Sequence, residues 1–191
     1  MNSNLRFAHP GLAIDACNLV NLYASGRLEE ILLTIPVPVF ITSKVCDEEA
    51  KYIWGGPDDD VKSQIELVQL QPYIERSLLQ RVELITELEQ SACVYFASYG
   101  LRDGEATTGA IASSRGWAIG TDEHKARSIF ARNVPHLQLL TTQELVKFWV
   151  DETDPPIGDV QLVLRNIELR GNYTVTSRNI LYDWWQHFQT R

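Results

Sequence analysis

The sequence predicts an α/β fold: three layers, α/β/α, around a mainly parallel central sheet, followed by a C-terminal helical extension. Two observations carry this prediction. Short apolar runs that suit buried strands recur along the chain: GLAID at 11–15, VPVFI at 37–41, WAIG at 117–120 and HLQLL at 136–140. Segments with apolar residues at helical spacing separate them, and that alternation is the pattern of strands joined by helical crossovers. A third observation sets the scale. The chain has 191 residues, 45% of them hydrophobic and 22% charged, enough to bury one sizeable core.

The first run, 11–15, ends in an acid, Asp15. Leu19, Leu22 and Tyr23 then recur at helical spacing, Gly26 ends that helix, and 28–33 gives another turn or two. Residues 37–41 read as a second strand, with Pro38 at an edge or at its start. Thr42 or Ser43 caps a helix through Val45, Glu48 and Glu49. WGGPDDD, 54–60, reads as a solvated loop, 65–70 as a strand and 73–96 as helical. Residues 101–104 read as a turn, and EATTGAIASS, 105–114, as a helix whose small residues allow close packing on a sheet. Residues 117–120 form a strand, 121–130 a helix, 136–140 a strand, and Thr141 caps a helix through Val150. Pro155 and Pro156 mark a linker over 151–158. Residues 160–169 and 177–188 read as helices. The division expected is a body over 11–150 and an extension over 151–191, packed on the body or on a partner. Leu181, Trp184, Trp185 and Phe188 share one helix face, which favours packing over base stacking.

No apolar run reaches the roughly 20 residues that span a bilayer, and 1–10 has no signal-peptide core. A cytoplasmic protein is expected. Cys17, Cys46 and Cys93 are widely spaced and read as reduced thiols rather than a disulfide framework, Cys17 and Cys46 in apolar surroundings where a buried, inert thiol is expected. With 17 Lys and Arg against 25 Asp and Glu, the net charge is −8, which excludes broad electrostatic binding of nucleic acid.

The chemistry lies in where acids fall. In open parallel sheets, ligands bind outside the carboxyl ends of the strands. Asp15 and Asp122 follow strands, Glu48 lies in the helix after the second strand, and Glu105 opens the helix before WAIG. Carboxylates sharing a pocket repel and raise one another's pKa unless a cation neutralises them. Mg²⁺ or Mn²⁺ takes such oxygen ligands and suits phosphate-ester hydrolysis. Each acid alone has a structural explanation as a cap, a helix-dipole partner or a solvated side chain.

At these residues the sequence resembles the PIN-domain family. LAIDACNLVNLYASGRLEEIL (12–32) is similar to that family's opening strand, acid and helix. VFITSKVCDEEA (39–50) resembles its second motif, with Val45 and Glu48 in V-x-x-E spacing, and 101–130 resembles the third and fourth motifs together. The resemblance spans about 11–150. It implies a metal-dependent endoribonuclease in which Asp15, Glu48, Glu105 and Asp122, with Glu123 as a less regular fifth, hold Mg²⁺ or Mn²⁺. Asn18 and Thr121 match supporting positions. Glu49 adjoins Glu48 but points about 100° round an α-helix; Asp103 competes with Glu105 but reads equally as a cap. Many bacterial relatives are toxins of toxin–antitoxin pairs, often homodimers, which implies an antitoxin protein as partner. Arg102, Lys125 and Arg127 belong to a stretch, 101–132, with five basic and four acidic residues, suited to tracking an RNA backbone. The alternative is a non-catalytic PIN-like module that binds RNA or protein. A haloacid-dehalogenase-type phosphatase ranks lower because Cys17 stands where that class needs its second Asp. No G-x-G-x-x-G follows the first strand, which argues against a dinucleotide site.

Overall fold

The structure is a computed structural model that describes residues 5–177 and 179–189. In chain order the elements are β1 (Leu12–Ile14), α1 (Ala16–Ala24), α2 (Leu28–Thr34), β2 (Val39–Thr42), β3 (Tyr52–Trp54), β4 (Ile65–Leu67), α3 (Gln71–Glu75), β5 (Gln80–Val82), α4 (Glu87–Ser98), α5 (Asp103–Arg115), β6 (Ala118–Gly120), α6 (His124–Asn133), β7 (Leu139–Leu140), α7 (Thr142–Thr153), α8 (Ile157–Arg170) and α9 (Tyr182–Gln189).

Five strands form one wholly parallel sheet in the order β5-β2-β1-β6-β7. Leu12 pairs with Val39 on one side and Ala118 on the other, so β1 is central. The central strands β1 and β6 are buried on both faces, as the middle of a parallel sheet requires, while the edge strand β5 is largely exposed. Side chains alternate across the pleat. Leu12, Ile14, Val39 and Ile41 enter a core with Leu19, Leu22, Trp149 and Val163, from α1, α7 and α8. Ala13 and Ile119 point the other way, into a core with Phe96, Ala106, Ala110 and Phe130, from α4, α5 and α6. The result is the three-layer α/β/α arrangement that the sequence predicts. Helix α5 packs close because Gly109 lies against the Phe130 ring; a Cβ there would collide with it.

Several elements differ from expectation. The helix expected over 73–96 is three elements. Ser77 takes a left-handed backbone (φ 58°), which ends α3, and the buried Leu79 leads into β5, the edge strand of the sheet. Thr86 then starts α4 with a capping box, its hydroxyl accepting from Glu89 N–H while Glu89 accepts from Thr86 N–H. The expected strand over 65–70 is β4, which pairs antiparallel with β3 apart from the main sheet, so 55–64 is the connection of that hairpin. The helix expected through Val45 is a single π-helical turn, Val45–Glu49, closed by Ala50 N–H on Val45 C=O. Residues 103–104, read as a turn, open α5; α6 starts at His124, three residues later than expected.

The proline segment is only 154–156, between α7 and α8. Helix α8 buries Val160, Val163, Leu164 and Ile167 in the same core as α1. Trp185 of α9 is fully buried there, its indole N–H donating to Glu168 at 2.7 Å. The helix expected over 177–188 begins at Tyr182. Residue 178 and the first four residues of the 1–10 segment lie outside the described residues. Among the described residues no helix is long and apolar enough to cross a membrane.

Candidate functional site

The chain leaves β1 toward β2 and later returns to β6 on the opposite side, so strand order reverses between β1 and β6. The crevice beyond their carboxyl ends is where open α/β sheets bind ligands. Asp15 follows β1 and Asp122 lies two residues past β6; Asp15 N–H donates to Gly120 C=O, tying the two strand ends together.

Asp15 is the N-cap of α1. Its Oδ1 accepts Asn18 N–H at 2.9 Å and the Cys17 thiol at 3.1 Å. The residue is 2% exposed. Burial pushes its pKa up to about 7 from 3.8, although hydrogen bonds from Thr121, Asn18 and Cys17 pull the other way; Asp122 adds to the rise. Asp122 accepts four bonds. Thr142 N–H (2.8 Å) and Tyr173 O–H (3.4 Å) reach Oδ1; Thr142 O–H (2.5 Å) and the Asn21 amide (3.0 Å) reach Oδ2. Burial raises its pKa as well. Asn18 bridges the two acids, its backbone on Asp15 and its side-chain amide donating to Thr142 Oγ1 at 3.2 Å. Cys17 sits beside both carboxylates, which with burial push its thiol pKa far up. The thiol is therefore held protonated, in a polar wall rather than the apolar surroundings expected for it.

A cleft of about 690 Å³ opens beside this pair: Asp122 lines it, and Asp15 lies buried behind Ala16 and Cys17 of its wall. Cys17, Asn21, Glu49, Arg102, Asp122 and Tyr173 line it, together with Glu123 and Arg170. Glu48 does not. Its side chain is 60% exposed and pairs with Lys44 at 2.6 Å, and Lys44 also reaches Asp103 at 3.2 Å. Glu49, in the same i→i+5-closed turn, faces the cleft instead. Glu49 Oε1 accepts Gly104 N–H at 2.9 Å, and a Cβ at 104 would push that carboxylate aside.

Glu105 is 5% exposed and turned away from the pair. It accepts Arg102 N–H at 2.9 Å and the Arg102 guanidinium at 2.8 Å, tying down the start of α5. Arg102, in turn, lines the cleft. Thr121 is fully buried and hydrogen-bonded to Asp15. Glu123 lies at the N-cap of α6, its N–H on Thr121 Oγ1 at 3.4 Å. Arg127 donates to Thr121 C=O at 3.2 Å, and Lys125 donates to Gly100 C=O, away from the acids. Asn21, Thr142, Arg170 and Tyr173 have no signal in the sequence: their partners lie across the fold. Among the described residues no three His, Cys, Asp or Glu side chains form a group able to hold a metal ion.

No protein-family model, curated protein or solved structure matches the chain. The reading of the site therefore rests on its own residues.

Proposed function

We propose that this cleft is the active centre of a metal-dependent endoribonuclease, which hydrolyses phosphodiester bonds in RNA. One observation carries the reading: two buried carboxylates, Asp15 and Asp122, stand side by side at the topological switch point, both with raised pKa. Such a pair needs a proton or a cation between its members. Mg²⁺ and Mn²⁺ fit the donor chemistry. The ligands offered are hard oxygens, and Mg²⁺ commonly uses one or two protein carboxylates and keeps the rest of its sphere for water and phosphate. Asp15 and Asp122 would hold the ion, and Glu49 stands on the wall of the same cleft. When bound, the ion supplies charge neutralisation at the phosphate and activation of the attacking water.

The chain's own residues do the positioning. Thr142, Asn21 and Tyr173 fix the Asp122 carboxylate; Asn18 and Thr121 fix that of Asp15. Glu105 holds Arg102 at the cleft wall, and Arg102 and Arg170 present guanidinium groups that match phosphate oxygens. RNA would thus meet two arginines, each ion-paired with an acid (Arg102 with Glu105, Arg170 with Glu66), in a cleft that also carries Glu49 and Glu123. In this reading an antitoxin protein and homodimerisation are the means of control.

A second reading has its own observation. Asp122 already accepts four bonds and Glu105 is taken by Arg102, an arrangement that also suits a non-catalytic module binding RNA or protein. One experiment separates them. Mn²⁺ is titrated calorimetrically into wild type, Asp15→Asn and Asp122→Asn, and the same proteins are assayed on RNA with Mn²⁺ or Mg²⁺. The hydrolase reading expects Mn²⁺ binding and cleavage in wild type and loss of both in each variant, with circular dichroism unchanged. Wild type that binds no Mn²⁺ and cuts no RNA, or variants that cut as well as wild type, would refute it.

A further inference from the structure

A second cavity adjoins the first. It measures about 610 Å³, within the range of small-molecule sites, and it shares Asp122, Tyr173 and Thr174 with the cleft. The two spaces therefore meet at Asp122. The second is walled by the starts of α6 and α7 and by the chain that follows α8.

Its floor holds an anomaly. Gln143, in the first turn of α7, is completely buried and contributes to the cavity wall. Neither its amide nitrogen nor its amide oxygen has a hydrogen-bond partner. Most buried polar groups are paired, and an orphaned one costs the full desolvation of that group. Here a donor and an acceptor lie orphaned together at a cavity. The wall carries both signs of charge: Arg127, anchored on Thr121 C=O, with His124 one turn earlier in α6, and the carboxylates of Asp122 and Glu144, of which Glu144 accepts the Thr141 N–H and hydroxyl.

We infer that this cavity is a nucleobase subsite, in which the Gln143 amide hydrogen-bonds the donor–acceptor edge of a base while the attached phosphate lies toward Asp122 and Arg127. The chemistry is complementary. A side-chain amide pairs in bidentate fashion with a base edge that offers a donor beside an acceptor. A neutral amide does not select an ion, so the ligand's charge has to be met elsewhere, and Arg127 meets it. The subsite would seat the base next to the phosphate held in the cleft, and so confer base preference on cleavage. This inference rests on the RNA-hydrolase reading for its biological sense, but not for its test.

The test uses the full chain in EDTA, titrated calorimetrically with each of the four nucleoside 5′-monophosphates. At least one binds wild type, and Gln143→Met, which keeps length and removes both hydrogen-bonding atoms, weakens that binding tenfold or more. Gln143→Met is expected to melt no lower than wild type, because it removes an unpaired amide; Gln143→Glu, which retains an acceptor and loses the donor, also weakens binding. If none of the four binds, or if Gln143→Met binds as well as wild type, the orphaned amide holds only trapped water and the inference is overturned. Failure of metal-dependent cleavage with nucleotide binding intact sinks the hydrolase reading alone. Cleavage whose base preference is the same in Gln143→Met sinks the subsite alone.

Discussion

Asp15 should make the protein less stable as pH rises. Its folded pKa is about 7 against 3.8 for an unperturbed aspartate. Below pH 3.8 the carboxyl is protonated in both states and costs nothing. Between pH 3.8 and 7 the unfolded chain ionises and the folded chain holds its proton, so folding loses free energy with each pH unit. Above pH 7 both states are ionised and the loss is complete. At 1.36 kcal/mol per unit, the shift corresponds to up to about 4 kcal/mol. Asp15→Asn removes the titration, and Asn is an equally good N-cap for the Asn18 N–H. Urea denaturation from pH 4 to pH 8 should therefore show variant and wild type nearly equal at pH 4. At pH 8 the variant should be ahead by several kcal/mol, a midpoint difference of roughly 2 M for an m-value of about 2 kcal/mol/M. Glu89, whose pKa is lowered to about 2 by Arg115 and by backbone N–H groups, acts in the opposite direction but only between about pH 2 and 4.5, and it is common to both proteins. Mn²⁺ added at pH 8 should raise the wild-type midpoint and leave that of Asp15→Asn unchanged. Parallel pH profiles for the two proteins would refute the argument that Asp15 is a desolvated, proton-holding group.

Four further outcomes can be checked together. Glu49→Gln should abolish RNA cleavage while Glu48→Gln leaves it near wild type, because only Glu49 lines the cleft; equal activities in a cleavage assay would reject that placement. Gly104→Ala displaces the Glu49 carboxylate, a mobile group, so the melting temperature should move little while activity drops. Gly109→Ala should destabilise by about 1–3 kcal/mol in thermal melts, since overpacking against buried Phe130 outweighs the roughly 1 kcal/mol gained in helix propensity. Glu89→Ala should cost about 2–3 kcal/mol in urea, because it removes the α4 capping box and leaves the Arg115 guanidinium without its 2.7 Å partner.

The main sheet was largely legible because β-branched and apolar runs bounded by helical spacing signal buried parallel strands directly. β5 was not. Gln80, Arg81 and Val82 are polar or half-exposed, since an edge strand buries little, and the neighbouring Leu78 and Leu79 fit a helical period equally well. The β3–β4 hairpin was half visible for the same reason: Ile65, Glu66 and Leu67 are all exposed and carry no alternation of burial. At the site, Asp15 and Asp122 were legible because each follows an apolar strand. The V-x-x-E spacing of the motif that 39–50 resembles favours Glu48 over Glu49, but the segment is a π-turn in which Glu49 faces the cleft, and nothing in VCDEE announces that turn.

The residues that complete the site were invisible for a different reason. Asp122 gains its hydrogen-bond donors from α1 (Asn21), α7 (Thr142) and the chain after α8 (Tyr173), separated from it by 101, 20 and 51 positions. An extension that reads as a separate appendage thus supplies a wall of the cleft, and Arg170 at the end of α8 supplies a second. This matters for how the site is tested. Truncating the chain after α7 would remove Arg170 and Tyr173 along with the α8 core residues Val160, Val163, Leu164 and Ile167. Lost activity in a truncated chain could not then be assigned to the cleft. Tyr173→Phe is the cleaner perturbation. It keeps the ring beside Trp185, which it meets at a tilt of 53° with centroids 5.8 Å apart, and deletes only the hydroxyl on Asp122. If the Asp122 carboxylate is held for chemistry, that single oxygen should lower cleavage while stability is kept; if Tyr173 serves packing alone, cleavage should be unmoved.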